Sequence, residues 1–330
     1  MSVSSPPPPA TTIPIPLERL TGAPWDFIGA SGQRLDILTR LGEKVAPLSS
    51  VAHIFQGLVT GADKVFVLTP TGPAKDGLRP VRDKQGQSWE LETAVLRSFI
   101  NDVSLHPFGR PDAAHALLFP YRLTEGRAEL IPAQVFAADY PRAWAYLQRW
   151  GDALRRREGE KWHHDRWYAF GRTQNLTQME DAKLIVQVMA QSPRYVHDDG
   201  GLYFTGGGNG PYYGLRWRDP DDPHDLRYLQ ALLNSSLLDT YVGRSLFVGE
   251  FRSYGKQYIA RIPIRRIDFT DADDADLHHR LVDKVARLTE VLVGADDSSA
   301  SRVADLQRDI DQLVYTLYAL TPAESAVFTP

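Results

Sequence analysis

The strongest constraint in this chain is a change of hydrophobic rhythm late in the sequence. Between residues 51 and 264 the apolar residues come mostly in short runs bounded by glycine, proline or polar turn residues. From Leu277 onward they fall at helical spacing through two long stretches, with Leu306, Ile310, Leu313, Val314 and Leu317 on one face of the second. Short alternating or wholly apolar runs suit strands, whereas sustained 3.6-residue spacing suits amphipathic helices. This order defines an α+β fold class: a twisted mixed or antiparallel sheet with flanking helices, closed by a C-terminal helical hairpin. No internal repeat interrupts it.

The pattern locates individual elements. Leu35–Leu41 has helical spacing, with Pro47 as a stop. Val51–Gln56 and Lys64–Thr69 read as strands joined by the glycine-bearing turn Gly57-Leu-Val-Thr-Gly-Ala-Asp. Glu90–Phe99 reads as a short helix, and Ala116–Tyr121 as a buried strand. Pro141 opens a helix through Trp144, Leu147, Trp150 and Leu154, since its missing N–H is harmless in a first turn. Lys183–Ala190 is the clearest central strand. Short aromatic strands at 202–204 and 212–217 flank the turn Gly206-Gly-Gly-Asn-Gly. His224–Leu238 reads as one helix and Tyr258–Ile264 as a last strand, before helices over 277–293 and 301–320.

Composition excludes several classes. The 330 residues contain no cysteine, which rules out disulfides, a thiolate nucleophile and cysteine-based metal sites. No apolar run approaches the roughly 18–20 residues of a membrane span. The Pro/Ser/Thr-rich residues 1–16 lack the charged and apolar regions of a signal peptide and read as a disordered or extended arm. A chain opening on Met1 and such an arm reads as a stand-alone subunit, and the cytoplasm is the expected compartment.

Net charge is −4, yet the charge is segregated. Arg142–Arg172 holds eight basic residues against four acidic ones, and Tyr241–Arg266 holds six against Glu250 alone. Such a chain can present a positive surface while remaining acidic overall. Solvated helix and loop faces would give the same pattern.

The order of segments resembles a known family. Gly57-Leu-Val-Thr-Gly-Ala-Asp-Lys-Val-Phe-Val-Leu is followed by Leu118-Phe-Pro-Tyr, then by Pro141 through Tyr146-Leu, with Arg157 behind it. Arg166-Trp-Tyr, Ala182-Lys-Leu-Ile-Val-Gln, Leu232-Leu-Asn-Ser-Ser-Leu, Ile262-Pro-Ile and Ile310-Asp-Gln-Leu-Val-Tyr-Thr-Leu-Tyr-Ala-Leu-Thr complete the series. In this order, from about Trp25 to Glu324, the segments resemble the TaqI-like C-terminal specificity domain of adenine-specific DNA methyltransferases and fused type II restriction–modification enzymes. The resemblance implies sequence-specific recognition of double-stranded DNA within a restriction–modification system, a phage defence. It implies a target-recognition domain over 17–270 and a hairpin over 271–330, working with a separate methyltransferase or methyltransferase–nuclease chain or domain. That partner, not this chain, would bind S-adenosylmethionine and flip the target adenine. The hairpin could face the partner or its own sheet.

The chemistry of methyl transfer is not legible here. Adenine methyltransferases use an Asn-Pro-Pro-aromatic tetrapeptide, or a variant beginning with Asp or Ser, whereas the nearest match is Asn209-Gly-Pro-Tyr212. A cofactor loop would have to be Gly206-Gly-Gly, immediately adjacent, so one segment would serve two roles. Asp181-Ala-Lys183 has the spacing of a metal-dependent nuclease motif without an evident partner acid, and no Gly-Lys-Ser/Thr phosphate loop occurs. His163-His164 and His278-His279 are expected at the surface. The catalytic and metal assignments are therefore none. The alternatives are an enzyme fragment with its own methyltransferase or nuclease activity, and a protein-interaction module derived from the family.

Base readout needs Arg, Lys, Asn or Gln at base edges, held by separate phosphate contacts. Three segments supply them on expected loops: Gln56–Lys64 with Thr60 and Lys64, Trp162–Asn175 with Arg172, Gln174 and Asn175, and Arg244–Tyr258 with Arg244, Arg252, Ser253, Tyr254 and Lys256. Trp167 and Tyr168 in the second are expected core anchors. The third interleaves cations with aromatics, which suits a phosphate backbone or a partner subunit.

Overall fold

The computed structural model describes residues 41–207, 210–242, 252–294, 299–326 and 328. The expected arm, nearly all of the expected helix over Leu35–Leu41, and the candidate Arg244 lie outside these residues. Strands β1 (Val45–Pro47), β2 (Ala52–Gln56), β3 (Val67–Pro70), β4 (Leu78–Arg82), β5 (Ser88–Glu92), β6 (Leu96–Ile100) and β7 (His115–Leu118) come first. The hairpin of β8 (Tyr121–Thr124) and β9 (Arg127–Leu130) leads into helices α1 (Ala133–Asp139) and α2 (Pro141–Arg149). Strands β10 (Lys183–Gln187), β11 (Met189–Ala190), β12 (Tyr195–Asp198), β13 (Leu202–Phe204) and β14 (Tyr212–Trp217) follow. Helices α3 (Leu226–Asn234) and α4 (Ser236–Tyr241) precede β15 (Arg252–Ser253) and β16 (Pro263–Arg265). Helices α5 (Ala272–Val293) and α6 (Ala300–Leu317) form the C-terminal hairpin.

The class is α+β, as expected. A four-stranded antiparallel sheet has the order β12-β10-β14-β2, with β2 at its edge. A six-stranded sheet has the order β13-β6-β7-β3-β4-β5 and is mixed, because β13 runs parallel to β6. The period of two along the first sheet divides the core. Ile54, Leu184, Val186 and Leu215 face one cluster, while Phe55, Ile185 and Tyr212 face the other. The first cluster takes in Leu281, Val285, Leu288, Ile310, Val314 and Leu317, so the hairpin buries its apolar stripe on its own sheet. A buried bidentate ion pair, Arg265 to Asp274 at 2.8 Å through both carboxylate oxygens, fastens β16 to the first turn of α5.

Several elements differ from the sequence expectations. Glu90–Phe99 is not a helix: it contributes to β5 and β6, joined by a single 3-10 turn. Its Glu, Leu and Ala favour helix, but Trp89 and Leu91 pair with Val81 and Arg79 of β4, and tertiary pairing overrides propensity. Glu92 then caps a helix, accepting the Arg142 and Ala143 amides at 2.9 Å each where Pro141 starts α2. Lys64 lies in a helical turn, Asp63–Phe66, and β3 starts only at Val67. The expected helix 224–238 breaks at Ser235, whose hydroxyl accepts the Leu238 amide and caps α4. Residues 256–259 form a helical turn, leaving only Pro263–Arg265 as strand.

Candidate nucleic-acid interface

Beyond β2 the chain crosses from one sheet to the other, and this crossing builds the candidate site. The Leu58 amide donates to Phe204 O at 2.9 Å and the Gly206 amide to Leu58 O at 2.8 Å, so residue 58 bridges the end of β13. A Cβ on Gly57 would overlap the Phe204 carbonyl, which is why glycine stands there. The next residues are zipped to the second candidate segment. The Gly171 amide donates to Thr60 O at 2.7 Å, the Arg172 amide to Val59 O at 3.1 Å, and Asn175 Nδ2 to Gln56 O at 3.0 Å. Asn175 has a φ of +62°, a conformation in which Asn is among the best-tolerated residues.

Thr60 serves this scaffold. It is buried, its hydroxyl donates to the Asp63 carboxylate, and it accepts the Ala62 amide at 3.0 Å. Its carbonyl is also held by Arg157, a residue the sequence offered no reason to single out as a site residue. The Arg157 guanidinium donates to Leu154 O at 2.9 Å, Thr60 O at 3.1 Å, Trp167 O at 2.8 Å and Ala169 O at 2.9 Å. It stacks on Trp162 with 4.2 Å to the ring centroid. Burial lowers its pKa from the ordinary arginine value, with Glu158 and Tyr121 opposing. In sequence it is the last of Arg155-Arg156-Arg157 and looks like one more solvated charge.

What remains exposed on this joined pair of loops is polar and basic. Lys64, Arg172 and Gln174 are exposed and Asn175 half-buried. Arg172 pairs with Glu158 at 3.2 Å, a surface contact worth about 0–1 kcal/mol that a ligand could displace. Trp167 and Tyr168 are buried core anchors, and the Tyr168 hydroxyl donates to Ile131 O at 2.6 Å. The basic stretch behind them divides in two. Arg142 pairs with Glu90 at 2.5 Å and Arg155 stacks on Trp167 at 4.4 Å. Arg149, Arg156, Lys161 and Arg166 are exposed and form no ion pair among the described residues.

The third segment is anchored elsewhere. Strand β15 pairs with β11, Ser253 opposite Met189 and Arg252 opposite Ala190, and the Tyr254 amide donates to Val188 O at 2.6 Å. Tyr254 is buried against Tyr195, with ring centroids 6.3 Å apart, so it is not presented to a ligand. Arg252 is half-buried and donates to Asp239, through its carbonyl at 3.1 Å and its carboxylate. Ser253 is half-buried, and its hydroxyl accepts the Gly255 amide at 3.3 Å. Burial raises the Asp239 pKa while Arg252 opposes the rise. Only Lys256 is exposed among the described candidates of this segment, and it forms no ion pair among the described residues.

The sequence decoys also resolve. Tyr212, the aromatic of the near-match tetrapeptide, is buried; its hydroxyl accepts the Val103 amide at 2.7 Å and donates to the Val103 carbonyl at 2.5 Å. Burial pushes its pKa up to about 12. Asn209 lies outside the described residues. A Cβ on Gly206 would overlap the Gly57 carbonyl, so that glycine serves a chain crossing. Lys183 is buried and bonds Asp198 and Met179 O at 2.5 Å each, which commits it to the core. His163 and His164 are exposed, as expected, but His278 is buried against His224, with ring centroids 5.8 Å apart. Its Nε2 accepts the Asp225 amide at 3.2 Å, an acceptor role that favours burial of a neutral imidazole. No group of His, Asp and Glu able to hold a metal occurs among the described residues. No helix among them is long and apolar enough to cross a membrane.

This α+β chain is related in sequence to enzymes of type II restriction–modification. It is 22% identical over 320 residues to the type II restriction enzyme and methyltransferase RM.Eco57I of Escherichia coli, covering 89% of this chain and 31% of the relative. It is 23% identical over 309 residues to the type II methyltransferase M.BstVI of Geobacillus stearothermophilus, covering 91% of this chain and 45% of that protein. The chain thus spans less than half the length of the curated relatives it matches. Among solved structures, the type IIG restriction endonuclease BpuSI matches 86% of this chain and 33% of its own, with a TM-score of 0.43 and 11% identity. No family profile matches the chain.

Proposed function

We propose that this chain reads DNA sequence as the target-recognition part of an adenine-specific restriction–modification methyltransferase, as its resemblance to TaqI-like specificity domains implies. One observation carries the reading: stretches distant in sequence, 56–64 and 171–175, are locked together by two backbone hydrogen bonds and the Asn175 side chain while Lys64, Arg172 and Gln174 stay exposed. Rigid loops bearing forked donors are what base-edge recognition requires, because misplacement costs the bidentate geometry that discriminates bases. Arg149, Arg156, Lys161 and Arg166 supply exposed charge of the kind that grips phosphates.

The relatives support the division of labour. Each contains much more chain than the part aligned here, and both names describe methyltransferases. Methyl transfer, S-adenosylmethionine and any cleavage are assigned to that further domain or a separate chain. The burial of Tyr212, the pressed Gly57–Gly206 crossing and the engaged Lys183 all favour this assignment, because these motif positions are used in packing.

Titration of this chain with S-adenosylmethionine and with duplex DNA tests the reading. Binding of DNA without measurable binding of the cofactor is expected. Cofactor binding by this chain would support an enzyme fragment instead. Failure to bind DNA even with the catalytic methyltransferase present would support a protein-interaction module.

A further inference from the structure

We propose that Arg216, Arg218 and Lys256 form a second cationic strip beside His53, along edge strand β2, that takes the phosphodiester backbone of the DNA. This rests on the DNA-reading function above and extends it to residues outside the three candidate loops, except for Lys256.

The strip follows from pairing geometry. In the antiparallel β2–β14 ladder His53 stands directly opposite Arg216. Arg218, two residues further, returns to the same face by the strand period. Its amide donates to Val51 O at 2.9 Å, and its guanidinium to Ser49 O at 2.6 Å, so it lies across the start of β2. The helical turn Lys256–Ile259 is fastened to the same place. The Ser49 amide donates to Ala260 O at 2.9 Å, and the Leu48 amide to Ile262 O at 2.8 Å. Lys256 and Arg218 are exposed, and His53 and Arg216 half-buried.

Gathering cations on one strand edge of a chain with net charge −4 is costly without an anion. Asp181, paired with Arg216, supplies one, but its side chain is 60% exposed. Such a surface pair contributes little and yields readily to a phosphate. Burial lowers the His53 pKa, and Arg216, Lys256 and Arg218 lower it further, so the three cations act on one locus. The strip also has direction. From His53, strand β2 continues to Gln56 over about 10 Å and enters the Gly57–Ala62 loop directly, so strip and loop cluster share one continuous piece of backbone.

The salt dependence of binding to a labelled duplex tests this. Each phosphate contact contributes about 0.9 to the slope of log K against log salt. Arg216→Gln with Lys256→Gln should therefore reduce the slope of the full chain by about two and weaken binding about tenfold at low salt. Lys256→Gln alone, at an exposed position where folding is not at risk, should reduce the slope by about one. Arg302→Gln, an exposed cation on α6, should leave the slope unchanged. An unchanged slope in the double variant, while the wild type binds, overturns the strip and leaves the loop cluster intact. An equal loss in Arg302→Gln overturns it too. Absence of binding by the wild type overturns both the strip and the function on which it rests.

Discussion

Replacing Arg157 tests whether the candidate loops are held by one side chain. Arg157→Ala removes four hydrogen bonds to the carbonyls of Leu154, Thr60, Trp167 and Ala169, and the stacking on Trp162. Hydrogen bonds to charged groups contribute about 1.5–3 kcal/mol when buried. Arg157 is only half-buried, so water can reach some of the vacated carbonyls, and about 0.5–1 kcal/mol each is the appropriate discount. With about 0.5–1 kcal/mol for the ring contact, the expected loss is about 2.5–5 kcal/mol. Arg157→Lys keeps the charge but not the planar fork, and should recover about a third of this. Urea unfolding followed by fluorescence and far-UV dichroism measures it, with coincident transitions as the check on two-state behaviour. The lysine variant should also bind DNA more weakly than wild type while remaining folded, because the Thr60 loop loses its tether. A loss below about 0.5 kcal/mol in Arg157→Ala would refute the scaffolding role.

Other substitutions separate scaffold from contact. Lys183→Met leaves the Asp198 carboxylate buried without its partner and should cost about 3–5 kcal/mol in unfolding free energy. Gly57→Ala forces a Cβ into the Phe204 carbonyl and should cost about 1–3 kcal/mol, readable as a lower melting temperature. Arg172→Ala should broaden sequence preference among duplexes more than it lowers mean affinity, since Arg172 is placed to read rather than only to neutralise. The His224–His278 pair should make the fold acid-sensitive. Burial lowers both pKa values in the folded chain, helped by Arg266 at His224 and by the neighbouring histidines at His278, whose value falls from 6.5 to about 4. Protonation therefore favours the unfolded state, and this contribution, complete above about pH 6.5, is lost as pH falls toward 4. A melting temperature that declines over that window, and declines less in His278→Gln, is the expected record.

The sequence made the fold class legible because the two periods, two and 3.6, occupy separate stretches. It located β2, β10, β13, β14 and the hairpin correctly for the same reason. It misread Glu90–Phe99 because Glu, Leu and Ala carry helical propensity, while pairing with β4 is decided by residues 78–82. It missed the break at Ser235 because Leu232, Leu233, Leu237 and Leu238 continue an apolar pattern across a capping serine. The candidate site was legible as residue types on expected loops, and the structure joins two of those loops through Gly171, Arg172 and Asn175. Burial of individual loop residues was not legible, so Thr60 and Tyr254 move from contact to scaffold. His53, Arg216 and Arg218 carry no sequence signal at all, because only strand register brings them together.

Selection of bound duplexes from a randomised pool, with the methyltransferase partner present, tests the central claim most directly. The account predicts enrichment of one short discrete motif, lost or relaxed by Arg172→Ala and Gln174→Ala together. Retention of duplexes without any enriched motif, equal in wild type and variant, would contradict it.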